Sequence, residues 1–133
     1  MIRKIGFILV LLMALLQGFY AIFAYVDPVS FANIRGTVLA SAVDTDWIHI
    51  YASRTLFVAL IIGALLYFQN YKLLLLAALF GTIMPLTDGY LAYQADAQFN
   101  VVAKHIATLV YLVITSMVLI KLLKEEKTNK AQY

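Results

Sequence analysis

The stretch IYASRTLFVALIIGALLYFQNYKLLLLAALFGTIMPLTDGYLA, residues 50–92, decides the fold. It holds two apolar runs, residues 50–68 and 73–92, joined by the polar link Gln69-Asn70-Tyr71-Lys72. Each run is close to the ~20 residues that an α-helix needs to cross ~30 Å of hydrocarbon. So short a link forces the two into an antiparallel hairpin. Two further runs flank them: residues 5–25, broken only by Gln17, and residues 101–123, opening near Lys104 and His105. None alternates as a barrel strand does, and in lipid a lone segment satisfies its backbone only as a helix. The expected fold is all-α, an integral membrane four-helix bundle forming one domain over residues 1–133.

Composition agrees. Of 133 residues, 64% are hydrophobic and 13% charged, against about half and about a quarter in a soluble domain. Cysteine is absent, which excludes disulfides, thiolate metal sites and a cysteine nucleophile. The formal charge of +3 has a topological explanation, so nucleic acid is not an expected partner. Threading the runs back and forth puts Arg3, Lys4, Lys72, Lys121, Lys124, Lys127 and Lys130 on one side, seven of the ten basic residues. Asp27, Asp44, Asp46 and Asp96 fall on the other. The positive-inside rule then predicts both termini in the cytoplasm, in a multi-pass protein of a bacterial inner membrane. Arg3-Lys4 before an apolar run also describes a signal peptide, but this run exceeds the usual 7–15-residue signal core and Ile22 suits cleavage poorly.

The connections differ in kind. The first outer loop, residues 26–49, is long. Asp27-Pro28 resembles a helix start, and Phe31, Ile34, Val38 and Leu39 recur at helical spacing, predicting a short helix on the membrane surface. Residues 94–100 form a short polar link, and 124–133 a frayed basic tail. Small residues at Ala59 and Gly63, and at Ala77 and Gly81, predict close approach of the hairpin's two backbones. Pro85 leaves the Gly81 carbonyl without its helical donor, so a kink is expected there, with Thr82 or a neighbouring helix meeting the freed group.

Three ionisable residues interrupt the spans: Arg54, Asp88 and His105. At ~1.5 Å per residue Asp88 lies ~24 Å beyond Lys72, near the outer surface. Arg54 and His105 are each about one turn from the outer ends of their own spans. Intramembrane charges are costly and mark candidate functional sites. The expectation is a shared outer-leaflet pocket with Asp88 and His105 as catalytic candidates. Arg54, Asp88, His105, Tyr51, Thr108, Tyr111 and Gln17 are its ligand-binding residues. A guanidinium suits a carboxylate, phosphate or enolate oxygen, and a His–Asp pair moves protons near neutral pH. The structural alternatives are a snorkelling Arg54, an Arg54–Asp88 pair fixing helix register, and a packed core histidine. Lys104 is expected to snorkel, and no ligand-spaced pair predicts a metal. Nucleotide-binding and hydrolase motifs are absent.

Residues 51–120 resemble a family of small four-helix membrane proteins, domain of unknown function 4267. The similarity rests on Tyr51-Ala52-Ser53-Arg54, on Pro85-Leu86-Thr87-Asp88-Gly89, and on His105 with Thr108 and Tyr111. The family looks to have an Arg–Asp pair where this chain has Arg54-Thr55, which puts any role for residue 55 in doubt. The resemblance implies a fold and candidate positions but no reaction. The expected function is binding of an apolar or amphiphilic small molecule, lipid-like or quinone-like, in the outer-leaflet pocket. The alternatives are a proton-transferring isomerase or cyclase and an accessory subunit of a membrane complex. The lipid bilayer is the expected surrounding, a homo-oligomer is compatible, and no cofactor is named.

Overall fold

In a computed structural model, which describes residues 1–37, 39 and 44–130, the apolar runs form helices. Six follow in order: α1 (Ile2–Val26), α2 (Pro28–Arg35), α3 (Thr45–Tyr67), α4 (Tyr71–Gly81), α5 (Ile83–Gln94) and α6 (Phe99–Lys130). With α4 and α5 taken as one interrupted rod, four helices are long and apolar enough to cross a membrane. Their outer surfaces carry many exposed large apolar side chains, among them Phe19, Leu60, Phe80 and Met117. That surface suits hydrocarbon and not water.

The ends of the bundle are tied by polar contacts. Arg3 donates to the Gln69 side chain, and its guanidinium lies 5.9 Å from the Tyr71 ring centroid. The start of α1 therefore meets the α3–α4 turn. Asn70 caps α4 by accepting from the Leu73 amide at 3.3 Å. The end of α6 lies at this end too, since a Cβ on Gly6 would touch Leu119 and Leu122 at 3.6 and 3.7 Å. We call this the terminal end. Its core is mainly hydrocarbon: Val10, Met13, Ile62, Leu66, Tyr71, Leu74, Leu112, Leu119 and Leu122 pack as one buried cluster, with Thr115 and Ser116 buried on α6 as well.

The pairing within the bundle corrects the expectation for the hairpin. Helix α3 packs chiefly on α1, whereas α4 and α5 pack chiefly on α6. A Cβ on Gly63 would meet nothing within 4 Å, and one on Gly81 would meet Leu112 of α6 at 3.8 Å. Ala59 instead faces Gly18 of α1. Small residues do permit close approach, but to other helices than the hairpin partner. The rod breaks at Thr82, three residues before Pro85. Its hydroxyl donates to the Leu79 carbonyl at 2.7 Å, so it does not serve the carbonyl that Pro85 frees.

Two boundaries also differ. Helix α3 begins at Thr45, several residues before the apolar run. Helix α6 continues to Lys130, so residues 124–130 are helical and not frayed. The loop helix α2 exists, with Asp27 accepting from the Ser30 amide at 3.0 Å and Pro28 in the first turn. It ends at Arg35, because Gly36 adopts φ +81° in a left-handed cap. Of the two later positions on the expected face, Leu39 lies outside the helix and Val38 outside the described residues.

Candidate functional site

At the end opposite the termini, the inward stripes of three helices turn from apolar to polar at one level. On α1 the stripe Val10, Met13, Ala21, Ala24 is interrupted by Gln17. On α5, Asp88 and Gly89 stand between buried Pro85 and Ala92. On α6, His105 and Thr108 stand between Val101 and Leu112. Side chains four apart share a helix face, so these polar groups point where the apolar stripes point.

Helix α2 folds over this end as a lid. Phe31 is its anchor, only 2% exposed, with ring centroids 5.8 Å from Phe23, 6.2 Å from Tyr20 and 5.4 Å from Tyr51. Arg35 follows Phe31 by one helical turn and is therefore aimed at the bundle as well. One of its terminal nitrogens donates to the Asp88 carboxylate, and the guanidinium lies 5.4 Å from the Tyr51 ring centroid. The paired side chains are 22% and 35% exposed, so the bond stands at a boundary and not in a sealed core. Gly36 must be glycine on two counts: its φ is positive, and a Cβ would come within 2.8 Å of Val101.

The Arg35–Asp88 pair is a partition between two spaces. On the inner side is a chamber of about 120 Å³, whose wall includes Gln17, Tyr20, Tyr51, Lys104, His105 and Thr108. On the outer side is a vestibule of about 380 Å³, bounded by Gly36, Thr37, Leu91 and Ala95. Arg35, Asp88 and His105 border both. His105 is 7% exposed, and among the described residues nothing hydrogen-bonds its ring. The ring's remaining access is to these two spaces. Gly89 makes room for it, because a Cβ there would lie 3.1 Å from the His105 Cβ.

Below the chamber lies a third space. An apolar groove of about 450 Å³ runs between α3 and the α4–α5 junction, walled by Phe57, Ile61, Phe80 and Ile83. Leu16, Gln17, Met84, Pro85 and Thr108 line chamber and groove alike, so the two adjoin. Tyr111 borders the groove only, and its hydroxyl donates to the Leu9 carbonyl, bracing α6 against α1. Among the described residues no three His or carboxylate side chains cluster as a metal site would require.

Of the residues the sequence brought forward, Asp88, His105, Tyr51, Thr108 and Gln17 meet at the chamber. Arg54 does not. The buried stripe of α3 is Ala52, Thr55, Ala59, Ile62 and Leu66, and Arg54 lies off it on an exposed face. The guanidinium facing Asp88 belongs to Arg35 instead. Sequence reasoning counted Arg35 only among the three basic residues on the outer side or just inside it; its signal was the four-residue spacing from Phe31 on an already expected helix. Lys104 was set aside as snorkelling, yet it contributes to the chamber wall.

The chain belongs to the family described as a domain of unknown function (DUF4267), whose model matches residues 3–119. That match takes in α1 and α2 as well as the later helices on which the resemblance was first read. No curated protein and no solved structure matches the chain.

Proposed function

We propose that this protein binds a single amphiphilic molecule at the polar end of its bundle. The observation that carries the reading is a small polar chamber set directly against a larger apolar groove, with five side chains common to both walls. Binding sites for small molecules combine a mainly apolar wall with a few convergent polar groups, in volumes of roughly 300–1,000 Å³. A molecule in the bilayer reaches the groove sideways, between α3 and the α4–α5 junction, without crossing water. Its polar head then meets Gln17, Arg35, Lys104 and His105. With both termini in the cytoplasm, as the basic residues favour, the chamber lies beneath the extracytoplasmic surface.

The test uses hexadecanol and hexadecanoic acid carrying a mid-chain diazirine, with the protein in phosphatidylcholine nanodiscs. Saturable labelling on Phe57, Ile61, Phe80 and Met84, displaced by unlabelled competitor, is the expected result. Labelling spread evenly over lipid-facing side chains such as Leu60 and Met117, and indifferent to competitor, would remove the reading.

A second reading has one observation in its favour: imidazole, carboxylate and guanidinium border a common space. Such a set can shift a proton on a bound molecule, as an isomerase or cyclase does. His105→Gln separates the two readings, since it should spare labelling and abolish any conversion of the bound molecule.

A further inference from the structure

The chamber wall carries two cations, Arg35 and Lys104, and one carboxylate, Asp88. Arg35 and Asp88 neutralise each other. Among the described residues no carboxylate lies within ion-pair distance of Lys104, which leaves one positive charge in excess. Lys104 is exposed at this end, and an anionic ligand supplies the counter-charge that the chamber wall lacks. The donors on hand suit an anion. Lys104 has three N–H groups, and Arg35 has five in all, of which the Asp88 bond engages one nitrogen.

Size narrows the head further. The chamber, about 120 Å³, is much smaller than the groove, about 450 Å³. That suits a compact head such as a carboxylate better than the bulkier glycerol phosphate of a two-chain lipid. The groove beneath is walled mostly by apolar side chains, which suits an alkyl chain.

Resting on the amphiphile reading above, we infer that the ligand is a single-chain amphiphile with a carboxylate head. The head sits against Lys104 and the remaining N–H groups of Arg35, and the chain lies in the groove between α3 and the α4–α5 junction. Asp88 keeps Arg35 in place beside it and repels a second anion.

Three photoreactive probes of equal chain length test this: hexadecanoate, hexadecanol and hexadecylamine, each with a mid-chain diazirine. Labelling is measured in phosphatidylcholine nanodiscs at mildly alkaline pH, where the acid is ionised and the amine protonated. The acid is expected to half-saturate the wild-type protein at a concentration roughly tenfold or more below the alcohol, as one charge-assisted hydrogen bond implies. The amine should be the weakest. Lys104→Glu should reverse the order of acid and amine, and Lys72→Gln, at the terminal end, should leave the wild-type order intact. Equal saturation by acid and alcohol in the wild type overturns the carboxylate assignment while leaving the amphiphile reading standing. So does an unchanged order in Lys104→Glu with its helical content retained. Should that variant misfold, the wild-type order alone decides. Failure of all three probes to saturate overturns both.

Discussion

The two ends of this bundle are built from the same four rods and solve opposite problems. At the terminal end, side chains such as Leu74 and Leu119 pack as a buried apolar cluster, and the buried hydroxyls of Thr115 and Ser116 are satisfied within α6 by the Tyr111 and Leu112 carbonyls. At the other end the inward stripes carry Gln17, Asp88, His105 and Thr108, which hold the helices apart around a chamber. Helix association in lipid gains little from the hydrophobic effect, because a side chain leaving a neighbour finds equivalent hydrocarbon in the bilayer. A filled end is thus held by packing, and an open end needs specific polar ties. The Arg35–Asp88 bond and the Phe31 anchor are those ties here. Stability is expected to reside at one end and binding at the other.

Substitution can break this division in four ways, the largest first. Leu74→Ala opens a cavity in the filled end and should cost about 2 kcal/mol. That is the low side of core truncations, because the transfer part of the penalty largely vanishes when the unfolded helix stays in lipid. Thermal unfolding in detergent measures it, and diazirine labelling at Met84, beside the chamber, should be unchanged. Next comes the ionic tie. A cycle of Arg35→Gln and Asp88→Asn should give a coupling of about 1 kcal/mol, well below that of a buried pair because both side chains reach water. Coupling near zero would mean that α2 is held by Phe31 alone.

Gly89→Ala sharpens the contrast from the binding side. Its methyl must displace His105 by a few tenths of an ångström. The expected outcome is stability within about 1 kcal/mol of the wild type and a clear loss of labelling at Met84. The smallest effect concerns pH. Ser30, through its hydroxyl and then its amide, holds the Asp27 carboxyl below the ordinary carboxylate range. A depressed carboxyl contributes its stabilisation fully above the unfolded value and loses it as pH falls through the folded one. The cap on α2 should therefore be intact at neutral pH and weaken only in acid. The Ser30 amide proton shift, followed by NMR, reports it.

The sequence told depth well and direction poorly. Span lengths and the tight turn sufficed for four helices, and counting residues from Lys72 put Asp88 at the right end of its rod. Depth alone made Arg54 look like the partner of Asp88. The direction of a side chain is set by which helix packs on which, and that depended on Gly18 meeting Ala59 and Gly81 meeting Leu112, contacts distant in sequence. The inward stripe of α3 was nonetheless readable, since Ala52, Thr55, Ala59, Ile62 and Leu66 recur at alternating spacings of three and four. Reading it would have turned Arg54 outward. Arg35 was harder, because its role needs α2 to fold onto the bundle, and only Phe31 hints at that. The break at Thr82 was expected from Pro85, whereas the hydrogen bond of its hydroxyl to Leu79 was not.

Met84 borders both chamber and groove, and its side chain is exposed enough for a larger one to be accepted there. Met84→Trp should plug the passage without unfolding the bundle. The most direct measurement is native mass spectrometry of wild type and Met84→Trp after gentle extraction with no ligand added. A stoichiometric amphiphile retained by the wild type and missing from the plugged variant is the predicted result. The same bound species on both proteins, or none on either, would contradict it.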